Sequence, residues 1–249
     1  MKTDEMINIV LDVGNTRAKL GVFFANKLIK ISNKVDRFSI DQLLGEYPKA
    51  NIIYSSVGQF DQALFHELKK RAHYLVELKS STSVPFINKY HSPQTLGVDR
   101  VAGVCGAQQL FSGRPVLVID AGSCVTYDLI DAHKVYHGGG ISPGWKMRLK
   151  AMHEFTAKLP DLAAEVPSDI LGKNTVECMQ SGAFYGLLSE MREIISHYHT
   201  KFNNLQVIMC GGDASVFQSH LGNLNNFVEP DLVLIGLNAI LHHNVKEKN

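Results

Sequence analysis

The stretch Ile7–Leu20, I-N-I-V-L-D-V-G-N-T-R-A-K-L, decides how this chain folds. Its apolar run from Ile7 to Leu11 reads as a buried strand, and Ala18, Leu20, Val22 and Phe24 resume an alternating apolar pattern beyond it. With Gly14-Asn15 as the turn between the two runs, the pattern predicts a β-hairpin. Asp12, Asn15 and Thr16 around that turn admit two readings. In the first they only satisfy the turn backbone, a common task of Asp and Asn. In the second, Gly14 lets a ligand approach the backbone, and Asn15 and Thr16 donate hydrogen bonds to a phosphate. Asp12 then offers oxygens to a hard cation such as Mg²⁺.

The pattern recurs. Pro115–Asp120, P-V-L-V-I-D, is another apolar run ending in Asp; Gly122-Ser123 follows it, and Val125, Tyr127 and Leu129 alternate onward. Each Asp-x-Gly opens a three-strand meander, completed at Lys27–Ser32 and at Val135–Gly140, and precedes alternating helices and strands. Asp12 and Asp120 are 108 residues apart. A repeat that long implies a duplicated lobe, because solenoid units are far shorter. The expected fold is therefore α/β with two similar lobes, 1–114 and 115–249, each a mixed sheet flanked by helices. Facing each other, such lobes would set the two Asp-x-Gly turns on opposite walls of a cleft.

Between these landmarks, apolar runs predict strands at Asn51–Val57, Tyr74–Leu78 and Leu205–Cys210. Helical spacing predicts Phe38–Leu44, Phe60–Ala72, Gly144–Lys158, Asn174–Lys201, Asp213–His220 and Leu232–His243. A further helix begins near Asp99. Ser80–Ser92 is polar and reads as irregular. On Asn174–Lys201 a stripe of Val176, Met179, Ala183, Leu187, Met191, Ile194 and Tyr198 fits either a core face or a subunit interface.

Composition narrows the function. Apolar residues make up 45% and charged residues 20%, with a formal net charge of +1. No bulk field therefore draws the chain to nucleic acid or to an anionic membrane, and local groups must hold any anionic substrate. Cys105, Cys124, Cys178 and Cys210 form no C-x-x-C pair, which suits a reduced, cytoplasmic protein. The start lacks a signal-peptide pattern, and no apolar stretch approaches membrane-spanning length.

Three segments carry further chemical potential. Gly138–Gly144, G-G-G-I-S-P-G, is followed by Trp145 where a P-loop needs Lys, so it is no Walker motif. As a turn feeding a helix it is either a tight connection or an anion cradle. Gly211-Gly212 at a strand end is a structural turn or a place for a nucleotide to lie close. Asp99-Arg100 opens a helix after Gly97. Asp is an ordinary cap there, but Arg opposes the helix dipole and calls for another reason, such as an anionic ligand. An adjacent carboxylate then suits the proton acceptor of phosphoryl transfer.

D-V-G-N-T from Asp12, L-G-V-D-R from Leu96, D-A-G-S-C-V-T-Y-D from Asp120 and G-G-G-I-S-P-G from Gly138 occur in a fixed order. F-T-A-K-L-P from Phe155 and G-K-N-T-V-E-C-M-Q-S-G-A-F-Y-G from Gly172 follow. In these motifs, from Ile7 to Gly212 and on to the last helix, the chain resembles the type III pantothenate kinases. The resemblance implies two RNase H-like lobes of the actin-like ATPase superfamily. It implies ATP-dependent phosphorylation of pantothenate, the first step of coenzyme A synthesis, by a homodimer using Mg²⁺ and a monovalent cation, K⁺ or NH₄⁺. By motif position it implies Asp99 as general base, with Tyr90, Gly97 and Arg100 near pantothenate and Thr175 reaching it from the partner subunit. It assigns Asp12, Val13, Gly14, Asn15, Thr16 and Ser123 to ATP, Asp12 also to Mg²⁺, and Asp120 to the monovalent cation. Ser123-Cys124 and Cys210 depart from the family pattern at the second Asp-x-Gly turn and before the glycine pair. A non-catalytic accessory factor for transcription is the alternative, and another kinase or phosphatase of the same superfamily a third. The absence of a basic recognition helix argues against direct DNA binding. The retained acidic motif residues argue against a non-catalytic scaffold.

Overall fold

A computed structural model describes residues 6–14, 18–56, 62–222, 224 and 226–248. In the first half, strands β1 (Ile7–Val13), β2 (Ala18–Phe24) and β3 (Lys27–Ser32) form the meander, followed by helix α1 (Arg37–Glu46). Then come β4 (Asn51–Ser56), α2 (Gln62–Arg71), β5 (Tyr74–Glu77), the short β6 (Ile87–Asn88) and α3 (Val98–Leu110). The second half begins again with a meander, β7 (Val116–Ala121), β8 (Cys124–Ile130) and β9 (Val135–Pro143). It continues with α4 (Trp145–Glu154), α5 (Thr175–Lys201), β10 (Gln206–Cys210), α6 (Ala214–Leu221), β11 (Asn226–Val228) and α7 (Leu232–Lys248).

The duplication is visible in strand order. The first sheet runs β3-β2-β1-β4-β5, and β9-β8-β7-β10-β11 repeats that order in the second. In both, the first strand pairs antiparallel with the second and parallel with the strand that follows a helix. Such parallel neighbours require a helical crossover, which explains the spacing between the apolar runs.

Asp12 pairs with Lys19 and Ser55 in register; Asp120 pairs with Thr126 and Cys210. The hairpin connection is longer than a two-residue Gly14-Asn15 turn, because β1 and β2 remain paired as far as Val13 and Ala18. That register sets Leu20 against Leu11 and Val22 against Ile9, all within the core.

Two compact units follow from the contacts. One comprises 1–112, 134–136 and 231–249; the other comprises 113–133 and 137–230. The final helix thus groups with the first unit, whereas the sequence boundary would assign it to the second lobe. Sequence order does not govern this grouping; packing does. Gly106 and Gly236 bring α3 and α7 so close that a Cβ on Gly236 would lie 1.7 Å from the Ala102 carbonyl oxygen. In the first unit, α1 and α2 bury Ile40, Leu43, Leu44, Leu64 and Leu68 with strand residues such as Ile9 and Ile52. Asp36 caps α1 by accepting from the Ser39 N–H at 2.7 Å, and Ser39 returns its hydroxyl to the Asp36 N–H as acceptor.

In the second unit, Met179, Ala183, Leu187 and Met191 of α5 enter a core with β7, β8, β10, α4 and α6. Most of the α5 stripe is therefore core, with Val176 at its start left 44% exposed. Gly138–Gly140 lie within β9, not in a turn before a helix. A Cβ on Gly139 would meet the Tyr127 carbonyl oxygen at 1.6 Å, so this glycine permits close strand packing. Two short strands, β6 and β11, occur where no strand is predicted; each is at most three residues long, too short for an alternating pattern. Among the described residues, no helix is long and apolar enough to cross a membrane.

Candidate active site

Asp12 occupies the end of β1 because the apolar pattern that buries Val10 and Leu11 stops there. Its neighbours come from register. Lys19 lies opposite on β2, and Ser55 lies beside it on β4. The Ser55 hydroxyl donates to Asp12 Oδ1 at 2.7 Å. Burial pushes the Asp12 carboxyl pKa up and the Ser55 hydrogen bond pulls it down. The Asp99 charge pushes it up again, and Lys19 pulls it down. Asp12 and Asp99 thus act on each other electrostatically within the first unit. Lys19 also forms an ion pair with Asp231.

Asp99 is exposed in the first turn of α3, and its Oδ1 accepts the Arg100 N–H at 2.8 Å. Gly97 leaves room for that carboxylate: a Cβ there would approach Asp99 Oδ1 to 2.4 Å. Arg100 is only 8% exposed, unusual for a guanidinium, and its Cζ lies 5.7 Å from the centre of the Tyr90 ring. Tyr90 in turn stacks on Tyr136, with centroids 6.3 Å apart and planes 26° from parallel. The segment is held by Lys89 N–H donating to the Tyr136 carbonyl at 3.0 Å and by Tyr90 N–H donating to Asn88 Oδ1 at 2.8 Å. The result is an exposed carboxylate next to a cation that an aromatic face shields. That combination suits an anionic substrate carrying a reactive hydroxyl.

Val13 ends β1 and Gly14 follows it, exposed. Asn15 and Thr16, both expected at the phosphates, lie outside the described residues. In the second unit, Asp120 is half-buried near the end of β7. Gly211, at φ +91°, allows the turn after β10 to close on it; a Cβ there would lie 2.4 Å from Asp120 Oδ1. The close approach at Gly211 is therefore to Asp120 itself, which accounts for the first glycine of the pair without a nucleotide.

Ser123 is exposed, and its carbonyl accepts the Gly144 N–H at 3.1 Å. Thr175 is exposed at the start of α5, where Asn174 Oδ1 caps the helix from the Glu177 N–H at 3.0 Å. A cavity of about 560 Å³ lined by Arg114, Asn203, Asn204 and Gln206 lies at the start of β7, the opposite end of that strand from Asp120. Sequence reading missed Ser55, Lys19 and Tyr136. The Ser-Ser pair ending an apolar strand was a faint signal, but only the parallel β1–β4 register makes Ser55 a neighbour of Asp12.

Two α/β units that repeat one strand order, each with an aspartate near the end of its first strand, define the actin-like ATPase class of fold. A Campylobacter jejuni structure described as a conserved Baf family transcriptional activator is similar over 96% of this chain and 99% of that one. Its TM-score is 0.58 at 22% identity. A glucokinase from an Antarctic psychrotroph is similar over 95% and 99%, with a TM-score of 0.54 at 13% identity. These likenesses speak for the fold.

Sequence relatives go further. The profile of the type III pantothenate kinase family matches residues 8–197. A type III pantothenate kinase of Phocaeicola vulgatus is 40% identical, covering 96% of this chain and 100% of the relative. One from Christiangramia forsetii is 39% identical over 96% and 99%. The chain belongs to the type III pantothenate kinase family. It is an ATP-dependent pantothenate kinase of coenzyme A biosynthesis.

Proposed function

We propose that Asp99 is the general base that accepts the proton of the pantothenate primary hydroxyl during phosphoryl transfer from ATP. The observation that carries this reading is the pairing of an exposed Asp99 carboxylate with the buried Arg100 guanidinium beneath Tyr90. Arg100 binds the pantothenate carboxylate, Tyr90 supplies an apolar wall, and Gly97 keeps the space into which Asp99 turns. As the hydroxyl oxygen bonds to the γ-phosphorus, the bond from that phosphorus to the β–γ bridging oxygen breaks and ADP departs. The hydroxyl proton passes to Asp99, which releases it to solvent afterwards.

The kinase chemistry involves a divalent cation with ATP. Mg²⁺ keeps several waters and uses one or two carboxylates plus phosphate oxygens, so a site without a cage of protein ligands suits it. Among the described residues no three His, Cys, Asp or Glu are grouped as a cage. Asp12, half-buried with one oxygen already hydrogen-bonded, fits as the protein ligand. The cation would neutralise charge on the phosphates. Val13, Gly14, Asn15 and Thr16 are assigned to binding ATP, as is Ser123. Asp120 holds the monovalent cation, K⁺ or NH₄⁺, with a carboxylate oxygen. Each of the two lobes, 1–114 and 115–249, carries one Asp-x-Gly turn.

The active form is a cytoplasmic homodimer in which Thr175 of one subunit reaches the pantothenate held by the other. Exposed apolar residues near the start of α5 support an interface there: Ile170 is 67% exposed, Leu171 68% and Val176 44%. Hydrogen bonds from Ser181 to the Ile170 carbonyl and from Gln180 to the Ala163 carbonyl bind that surface segment to α5.

The test is phosphorylation of pantothenate by ATP and Mg²⁺, with and without K⁺, in wild type and Asp99→Asn. The variant should lose about 10²- to 10⁴-fold in kcat while retaining its fold, the usual cost of removing a general base. Undiminished turnover in Asp99→Asn would remove the base assignment.

A further inference from the structure

Resting on the assignment of Asp12 above, we infer that Ser55 is a positioning residue: its hydroxyl holds Asp12 Oδ1, so that Oδ2 is presented to the Mg²⁺–ATP assembly. No motif marks Ser55, and three observations converge on it. The parallel register of β1 and β4 sets Ser55 beside Asp12, so both side chains emerge on the same side of the sheet. Ser55 is 1% exposed, which keeps bulk water from competing for its hydroxyl. The donor–acceptor distance of 2.7 Å is that of a well-formed O–H···O bond.

Near the end of β1, the hydrogen bond from Ser55 restrains the rotation of the Asp12 carboxylate. One oxygen tied to a rigid strand leaves the other aimed in a single direction, and angstrom-scale misplacement of a phosphate-positioning group is costly to rate. The duplicated half shows a different choice. At the equivalent register position beside Asp120 stands Cys210, whose thiol is a weaker donor than a hydroxyl. The two strand-end aspartates therefore have different neighbours at this register position, a hydroxyl beside the one assigned to the geometry-demanding divalent ion and a thiol beside the other.

The alternative is that Ser55 only satisfies its own buried hydroxyl. Calorimetric binding of a non-hydrolysable ATP analogue, with Mg²⁺ and again in excess chelator, separates the two. Ser55→Ala should weaken the Mg²⁺-dependent binding about 10- to 100-fold, the usual effect of losing a residue that orients a metal ligand. Binding in chelator should stay at the wild-type value. In turnover, the KM for Mg²⁺–ATP should rise while the KM for pantothenate is unchanged, and Ser55→Thr should restore the Mg²⁺-dependent binding and the KM for Mg²⁺–ATP. Should the alanine variant fail to fold, Ser55→Cys preserves the volume and is expected to show the same Mg²⁺-dependent deficit in milder form. Wild-type Mg²⁺-dependent binding in folded Ser55→Ala, or in Ser55→Cys where alanine does not fold, overturns the inference. So does an equal loss with and without Mg²⁺. Asp12→Asn serves as the separate control. If it leaves Mg²⁺-dependent binding intact, the Asp12 assignment fails; if it abolishes binding while Ser55→Ala does not, only the role of Ser55 fails.

Discussion

Asp12 is held in a state that burial makes unfavourable. Burial and the nearby Asp99 charge push its carboxyl pKa up, and Ser55 and Lys19 only partly oppose them. Because its folded pKa exceeds its unfolded value, the folded protein binds the proton more readily. The charged form therefore destabilises the fold at neutral pH, and that penalty fades as pH falls through the raised folded pKa towards the ordinary carboxylate value of 3.8. Asp12→Asn should raise Tm at pH 7 while abolishing turnover, with the Tm gain shrinking on acidification. Thermal scans across pH check this; a variant that melts lower than wild type at pH 7 contradicts it. Such an exchange of stability for activity is usual where a site needs a charge in a poorly solvated place. Asp12 and Asp99 were both legible in the sequence, as strand-end and helix-start residues. Their electrostatic coupling was not, because it depends on α3 being brought to the end of β1.

At the scale of elements, the α3–α7 contact is the most demanding in the first unit. Gly106 would place a Cβ 2.3 Å from the Leu232 carbonyl oxygen, and Gly236 would place one 1.7 Å from that of Ala102. These obstacles are backbone, which cannot swing aside as a side chain can. Gly236→Ala should therefore cost about 1–3 kcal/mol or more, the range for overpacking a close contact. That corresponds to a fall in Tm of roughly 2–4 °C per kcal/mol for a chain of this size. Differential scanning calorimetry reads it directly, and an unchanged Tm would show that the helices tolerate separation. Asn238 of α7 adds a polar tie, accepting from Asn8 Nδ2 at 2.8 Å while Asn8 Oδ1 accepts from Asn51 Nδ2 at 3.1 Å. Helix α7 was legible as a closing helix with few charges. Its assignment to the first unit was not, since glycines inside helices reveal a close approach only when the partner is known.

At the scale of the whole molecule, the proposed shared site makes a prediction that neither subunit alone can satisfy. Asp99→Asn and Thr175→Trp each disable a site, the first from within and the second from across the interface. Mixed and reassociated, the two inactive variants should recover about one quarter of wild-type activity, because half of the dimers are mixed and each has one intact site. Thr175 is exposed, so its replacement should leave its own subunit folded. No recovery after demonstrated subunit exchange would place Thr175 outside the neighbour's site.

The repeat of strand, aspartate and glycine at Asp12 and Asp120 was written in the sequence, and so were the two β-meanders. Apolar periodicity and strand-end polarity are local properties, set by which side chains leave water together. The family motifs lie in the same local segments and likewise needed no structure. What the tertiary structure decided was register and company: Ser55 beside Asp12, Tyr136 beneath Tyr90, and α7 against α3. It also decided that Gly138–Gly140 belong to a strand and that most of the α5 stripe is core. Contacts between residues distant in the chain follow from how whole elements pack. The opening stretch shows both sides of this: its strand and its aspartate could be read directly, whereas the hydroxyl bonded to that aspartate comes from 43 residues further along the chain, on a strand directly adjacent in space.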